Sequence, residues 1–217
     1  MTQAAEKDPS QRRIGLFGGS FDPVHSGHLH AARAAQAAFR LDRVIFVPAA
    51  RPPHKPGRVL ANPADRLALL ELVCAQEPTW STSDLEFHRE GPSYTADTLR
   101  ELPSAVGEAE DCELFLILGS DNLPGLPDWS RVEELLSAAR PIVVFRAGVD
   151  ESSLAQLAPR LSPIALERLR AGFLDLPPVE ASSTAIRELR LTQDEMPLEL
   201  PPDVWEYIRE KGLYRPA

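Results

Sequence analysis

The arrangement that most constrains this chain lies in its first fifty residues. Residues 13–17 (RIGLF) form a short apolar run that ends at Gly18-Gly19, the pattern of a buried strand closed by a turn. From about His28 to Phe39 the sequence HLHAARAAQAAF is rich in alanine and predicts a helix. Residues 42–48 (DRVIFVP) then predict a second strand. Strand, loop, helix and strand within 36 residues is the size of a parallel crossover unit.

The alternation continues along the chain. Apolar spacing predicts helices over 64–76, 94–101, 131–138, 183–191 and 203–211, and a helical stretch over 150–171 broken between Pro159 and Pro163. Strands are expected at 79–83, 113–118 (ELFLIL), 141–146 and 173–176. This is the pattern of an α/β fold: a Rossmann-like open parallel sheet with helices on both faces and a C-terminal helical portion. With no repeat and no flexible linker in view, residues 12–217 are expected to form a single domain and 1–11 a disordered N-terminal extension. The Pro-rich loop over 49–63 is long enough to carry function, while 192–199 shows no clear periodicity around Pro197.

Composition removes several classes. With 43% hydrophobic and 25% charged residues in 217, the chain is neither disordered nor fibrous. The 21 prolines are about twice the usual ~5% share and mark stiff loops. No run reaches the ~18 to 20 apolar residues of a membrane span, and the polar N-terminus lacks a signal core, so a cytoplasmic location is expected. Cys74 and Cys112 have no metal-type spacing and are expected to be buried small hydrophobes.

The net charge of −9 argues against nucleic acid or an anionic membrane as partner. Its distribution is uneven. Residues 1–60 carry nine Lys or Arg against four Asp or Glu and hold four of the five histidines. Such a basic, His-rich segment on an acidic chain suits a small anionic ligand, although a solvated face would give the same count.

The chemistry is expected between the first strand and the first helix, in Gly18-Gly19-Ser20-Phe21-Asp22-Pro23-Val24-His25-Ser26-Gly27-His28. In open α/β sheets the ligand crevice lies outside the carboxyl ends of the strands. Glycines let the backbone approach a ligand, and the helix that follows offers free N–H groups to an anion. His25 just before the helix and His28 in its first turn can point at one phosphate chain. The segment is neither a G-x-x-x-x-G-K-[ST] loop nor a G-x-G-x-x-G turn, which disfavours ATPase motors and dinucleotide-dependent dehydrogenases. A second cradle is expected at Ser182-Ser183-Thr184-Ala185-Ile186-Arg187, where hydroxyls before an amphipathic run read as a helix cap and equally as an anion site. Asp22 and Pro23 are expected to serve the turn, with orientation of a neighbouring group as a second role open to Asp22, and His30 and His88 to be structural.

With its His-x-Gly-His core, the first segment resembles the signature of the nucleotidyltransferase superfamily, and the full G-G-S-F-D-P-V-H-x-G-H is similar to that of bacterial nicotinate-mononucleotide adenylyltransferases. Further matches follow in order: Pro48 with His54-Lys55, Ser83-Asp84 with Glu86, 93–99 (SYTADTL), Gly119-Ser120-Asp121 with Trp129, Arg146, 182–187, and Tyr207-Ile208 with Leu213-Tyr214. The resemblance spans roughly residues 13–214.

It implies transfer of the adenylyl group of ATP to nicotinate mononucleotide, giving deamido-NAD and pyrophosphate in NAD biosynthesis, by in-line attack without a covalent enzyme intermediate. Mg²⁺ is expected with ATP, held mainly by phosphates and waters, and no metal ligand is assigned. By the family pattern His25, His28, Lys55 and Arg187 are the catalytic set. Gly18, Gly19, Ser20, Phe21, Gly119, Asp121, Ser182, Ser183 and Thr184 would bind ATP. Thr95, Trp129 and Ser130 would bind the mononucleotide, Trp129 by stacking on the pyridine, unless it is an ordinary core tryptophan. Two departures stand out: Ser120 where alanine is common, and Ser130 where an aromatic residue often follows the tryptophan. Rival readings are a sister enzyme using nicotinamide mononucleotide or another phosphate acceptor, and a nucleotide-binding sensor without turnover. The oligomeric state is not readable.

Overall fold

The computed structural model describes residues 11–51, 61–107, 112–144, 153–177 and 179–215. Six strands form one parallel sheet: β1 (Arg13–Gly19), β2 (Arg43–Pro48), β3 (Trp80–Thr82), β4 (Glu113–Gly119), β5 (Arg140–Val144) and β6 (Phe173–Leu174), in the order β3-β2-β1-β4-β5-β6. Eight α-helices are described: α1 (Ser26–Phe39), α2 (Pro63–Cys74), α3 (Thr95–Ala105), α4 (Val132–Ala138), α5 (Ser153–Leu157), α6 (Pro163–Ala171), α7 (Ser183–Thr192) and α8 (Pro202–Glu210). The order reverses between β1 and β4, so the crevice of this Rossmann-like sheet opens where those two strands end.

Each face of the sheet has its own core, and the pleat assigns the residues. Phe17, Phe46, Phe115, Ile117 and Ile142 project to one face and pack with α1, α2, α7 and α8. Ile14, Leu16, Ile45, Leu116, Leu118 and Val143 project to the other, under α3, α4, α5 and α6. The strands are thus apolar on both sides, as a doubly covered parallel sheet requires. On the first face a Cβ at Gly15 would stand 2.7 Å from Leu41 Cδ1, so a larger residue there would have to displace that side chain. The C-terminal helical portion closes this face through Val204, Trp205 and Ile208, and Tyr207 Oη donates to Asp65 of α2 at 2.9 Å.

Several boundaries differ from the sequence expectation. β1 runs on through Gly18 and Gly19, and α1 begins at Ser26, two residues early, because His25 takes the N-cap position. α3 continues past Glu101 through Pro103 to Ala105; the proline sits in the last turn, and the fully buried Leu102 anchors that end. β3 and β6 are shorter than expected. Gly119-Ser120-Asp121 leads into a 3₁₀ helix, Ser120–Asp128, rather than a simple turn. Cys74 is buried as expected, with burial pushing its thiol up to about 12, but Cys112 is only half-buried. Residues 1–10 of the expected extension, His54, Lys55 and Arg146 lie outside the described residues. Among the described residues, no helix is long and apolar enough to cross a membrane.

Candidate active site

The loop after β1 is held from below by aromatic packing. Phe21 adopts a left-handed backbone (φ 46°), and its ring is buried against Phe17 and Phe46 at centroid distances of 5.5 and 5.6 Å. Gly19 passes directly over that ring, where a Cβ would come within 3.0 Å of Phe21 Cζ. The peptide bond Asp22-Pro23 is cis. The side chain of Phe21 is therefore a support, and the loop turns backbone and Ser20 outward.

His25 stands at the N-cap of α1 in extended conformation, and His28 is the third helical residue. The backbone N–H of His25 donates to His28 Nδ1 at 3.3 Å, which in the neutral ring places the proton on Nε2. The two imidazoles lie 3.8 Å apart between centroids, tilted by 32°. Gly27 makes room for this pairing, since a Cβ there would stand 3.1 Å from the His25 ring.

The N-terminus of α7 meets the same place from the other side. Ser182 caps the helix, accepting from the Ala185 N–H at 3.5 Å. Ser183 Oγ donates to Pro23 O at 2.9 Å, and Arg187 Nη1 donates to Asp22 O at 2.6 Å while Nη2 donates to Thr184 Oγ1 at 3.2 Å. Two helix N-termini, each favourable for negative charge, thus converge on one cleft. Its walls are Gly18 to Phe21, His25, His28, Gly119, Asp121, Asn122 and Ser182 to Thr184. Every described residue expected in the catalytic or ATP-binding sets lies here, with Arg187 bonded to its edge.

This central cleft continues into two others that share no residue. One opens on the α3–α4 face between Gly18 to Ser20, Ala49, Glu86, Ser93 to Thr95, Asn122, Trp129 and Ser130. It holds all three residues expected for the mononucleotide. Trp129 is both wall and core, since it also packs against the cluster of that face. Thr95 opens α3, whose N-cap residue Tyr94 provides no side-chain cap. Asp97 in the first turn accepts from Arg131 at 2.7 Å and from Arg100 at 2.7 Å, and the Arg131 bond holds its carboxyl below the usual range. The Asp97–Arg131 pair ties the start of α3 to the turn that carries Trp129 and Ser130. The other cleft opens on the α1–α7 face, between Phe17, Gly27, His30, Gly119, Val144, Leu176, Ala181, Ser182 and Ile186.

Sequence reasoning missed three supports. Arg66 of α2 is 1% exposed and donates to the carbonyls of Ser20 (2.9 Å), Ala49 (2.8 Å) and Ala61 (3.1 Å), so it joins the loop after β1 to both ends of the Pro-rich loop. Burial lowers its pKa, and Asp22, Glu86 and Tyr214 oppose that effect. Glu86, noted only as part of the resemblance, is buried beside the α3–α4 cleft, accepting from Thr98 Oγ1 at 2.8 Å and Ala50 N–H at 3.3 Å. Asn122 lines two clefts and donates to Gly119 O at 3.1 Å. A charged residue inside an apolar helix, Arg66 in PADRLALLELVC, was the available signal for the first. Asp22 does more than serve its turn: it is 1% exposed and accepts from Ala61 N–H and Tyr214 Oη.

The sequence profile of the Cytidylyltransferase-like family matches residues 16–189. A Synechococcus sp. (strain JA-3-3Ab) protein named "Probable nicotinate-nucleotide adenylyltransferase" is 42% identical over 207 residues, covering 95% of this chain and 97% of its own. A Roseiflexus sp. (strain RS-1) protein of the same name is 40% identical over 208 residues, covering 95% of this chain and all of its own. Among solved structures, Plasmodium falciparum nicotinic acid mononucleotide adenylyltransferase complexed with NaAD superposes with a TM-score of 0.72 at 19% identity, over 94% of this chain and 98% of that one, and shows the shared fold. The chain belongs to the Cytidylyltransferase-like family and, within it, to the nicotinate-nucleotide adenylyltransferases.

Proposed function

We propose that the protein, acting as one unit over residues 12–217, transfers the adenylyl group of ATP to nicotinate mononucleotide, forming deamido-NAD and pyrophosphate. One observation carries the reading: an anion-suited cleft between two helix N-termini joins two clefts on opposite faces of the sheet edge. A dinucleotide product needs that layout, with one base on each side and the phosphates across the switch point.

In this reading the nicotinate ring lies against Trp129 with Ser130 and Thr95, and the adenine occupies the α1–α7 cleft. The phosphates cross between Gly18 to Ser20, His25, His28 and Ser182 to Thr184, with Asp121 accepting from a ribose hydroxyl. The mononucleotide phosphate attacks the α-phosphorus of ATP in line and pyrophosphate leaves. Such a step asks for positioning and for stabilisation of charge that builds on the phosphoryl oxygens. His28 Nε2–H and the Arg187 fork supply donors of that kind, His25 stacks on His28, and Lys55 on the Pro-rich loop completes the set. Mg²⁺ would accompany ATP, held mainly by phosphates and waters, and would supply charge neutralisation there.

The uncapped start of α3 beside Thr95 supports the acid over the amide, because a carboxylate gains from a helix N-terminus by ~0.3–1 kcal/mol where a neutral amide gains far less. Glu86 does not oppose it strongly, as both its oxygens accept hydrogen bonds within the wall. The test is pyrophosphate release with MgATP and either nicotinate or nicotinamide mononucleotide at equal concentration. Strong preference for the acid is expected. Equal use would place the acceptor choice elsewhere than α3, and no release with either would overturn the assignment.

A further inference from the structure

The first residues of the Pro-rich loop are pinned one after another. The Ala49 N–H donates to Gly19 O at 2.8 Å, Ala49 O accepts from Arg66 Nη1 at 2.8 Å, and the Ala50 N–H donates to Glu86 Oε2 at 3.3 Å. Arg51 is tied twice to Ser93: its N–H donates to Ser93 Oγ at 3.4 Å, and its carbonyl accepts from the Ser93 N–H at 3.2 Å. Ala49, Glu86 and Ser93 all line the α3–α4 cleft, so the Arg51 backbone is fixed against its wall. The Arg51 side chain is exposed.

The other charges around this cleft are accounted for. Among the described residues its lining holds one charged side chain, the carboxylate of Glu86, and no Lys, Arg or His. Arg89 pairs with Glu101 at 2.8 Å, Arg100 and Arg131 each pair with Asp97 at 2.7 Å, and Arg66 donates to three carbonyls. The Arg51 guanidinium has no ion pair or hydrogen bond among the described residues. An anionic ligand that leaves water for a cleft lined only by negative charge requires a cation close by. We infer that Arg51 is a specificity-determining residue for the mononucleotide, its guanidinium donating to an anionic oxygen of that substrate, in the phosphate or in the nicotinate carboxylate. The inference rests on the assignment of the mononucleotide to the α3–α4 cleft. The planar fork of a guanidinium matches both oxyanions, and its long stem suits a cleft rim. With the backbone anchored at two points, only the side chain has to be ordered on binding, which lowers the entropic cost of the contact.

The test is steady-state kinetics of Arg51→Gln, which changes an exposed side chain and leaves the backbone ties to Ser93 in place. KM for nicotinate mononucleotide should rise by roughly five- to tenfold, the loss of a charged hydrogen bond at a solvent-exposed rim, while KM for ATP stays within about twofold. Arg51→Lys keeps the charge and should return KM to within about threefold of the wild type. The wild-type KM should climb with added salt, and that of Arg51→Gln should climb less. Two competitors that each keep one anionic group identify the contact: nicotinamide mononucleotide retains the phosphate, and nicotinate riboside retains the carboxylate. Arg51→Gln should weaken one of them by roughly five- to tenfold and leave the other within about twofold. A KM unchanged by Arg51→Gln, equal rises for both substrates, equal salt dependence in both proteins, or equal weakening of both competitors would overturn the inference and leave the proposed reaction standing. If the wild type releases no pyrophosphate with nicotinate mononucleotide, the assignment of the cleft fails, and the inference fails with it.

Discussion

The imidazoles of His25 and His28 stack with 3.8 Å between centroids, and the backbone N–H of His25 fixes which nitrogen of His28 carries its proton. His28→Ala therefore removes a donor already oriented toward the cleft. We expect turnover to fall by roughly 10²- to 10³-fold, the usual consequence of losing one preorganised donor. ATP affinity should fall by less than about tenfold, because the helix ends and Ser182 to Thr184 remain. Pyrophosphate release read beside equilibrium ATP binding checks both, and equal losses would contradict the transition-state role.

Trp129 forms one wall of the α3–α4 cleft, proposed to hold the mononucleotide, and also packs into the core. Trp129→Phe should keep the packing and part of the stacking, raising KM for nicotinate mononucleotide by a few-fold. Trp129→Ala should raise it by tenfold or more, in line with the ~0.5–1.5 kcal/mol of an aromatic pair plus lost burial. KM for ATP is the control. A parallel rise for ATP would mean that the substitution loosened the whole sheet edge.

Arg66 serves three backbone carbonyls from its buried position, and Arg66→Ala strands all of them. An unsatisfied buried group costs about 1 to 3 kcal/mol, so a loss of at least about 3 kcal/mol of folding stability is expected in denaturant titration. Arg66→Lys keeps the charge but cannot span the three acceptors, and should recover less than half of the loss. Full recovery by lysine would show that charge alone matters there.

Asp97 carries a depressed pKa because Arg131 donates to its ionised form. The sign follows directly: the α3 tie to the Trp129 turn is fully present above the ordinary carboxylate value, ~3.9, and is lost as pH falls through the lower folded value. KM for nicotinate mononucleotide should accordingly be insensitive to this group between about pH 5 and 8. Asp97→Asn should raise it at every pH in that window. A wild-type KM that climbs near pH 6 in step with the Asn variant's loss would remove Asp97 from this role.

Much of the candidate site's layout was legible because it is local in sequence. Gly18 to His28 and Ser182 to Arg187 each form a strand or loop running into a helix, and both the spacing of the histidines and the hydroxyl cap follow from helix geometry. The sheet was equally legible, since a strand covered on both faces must read as an uninterrupted apolar run, as ELFLIL does. The supports were not, because their meaning is set by partners far along the chain. Arg66 shows only as a charge inside an apolar helix until Ser20 and Ala49 are beside it. Asp22 reads as a turn former until Tyr214 arrives. Element ends were misplaced where tertiary packing outweighs local preference, as at Pro103, held in helix by Leu102.

The two outer clefts touch only through the loop and strand ends between them, with no wall in common. In the proposed assignment, acceptor choice and donor choice are therefore separable traits. On that assignment, residues such as Ser130 and Thr95 can drift toward a different phosphate acceptor without disturbing the proposed purine side, so a change of acceptor is open to this scaffold by altering one half alone.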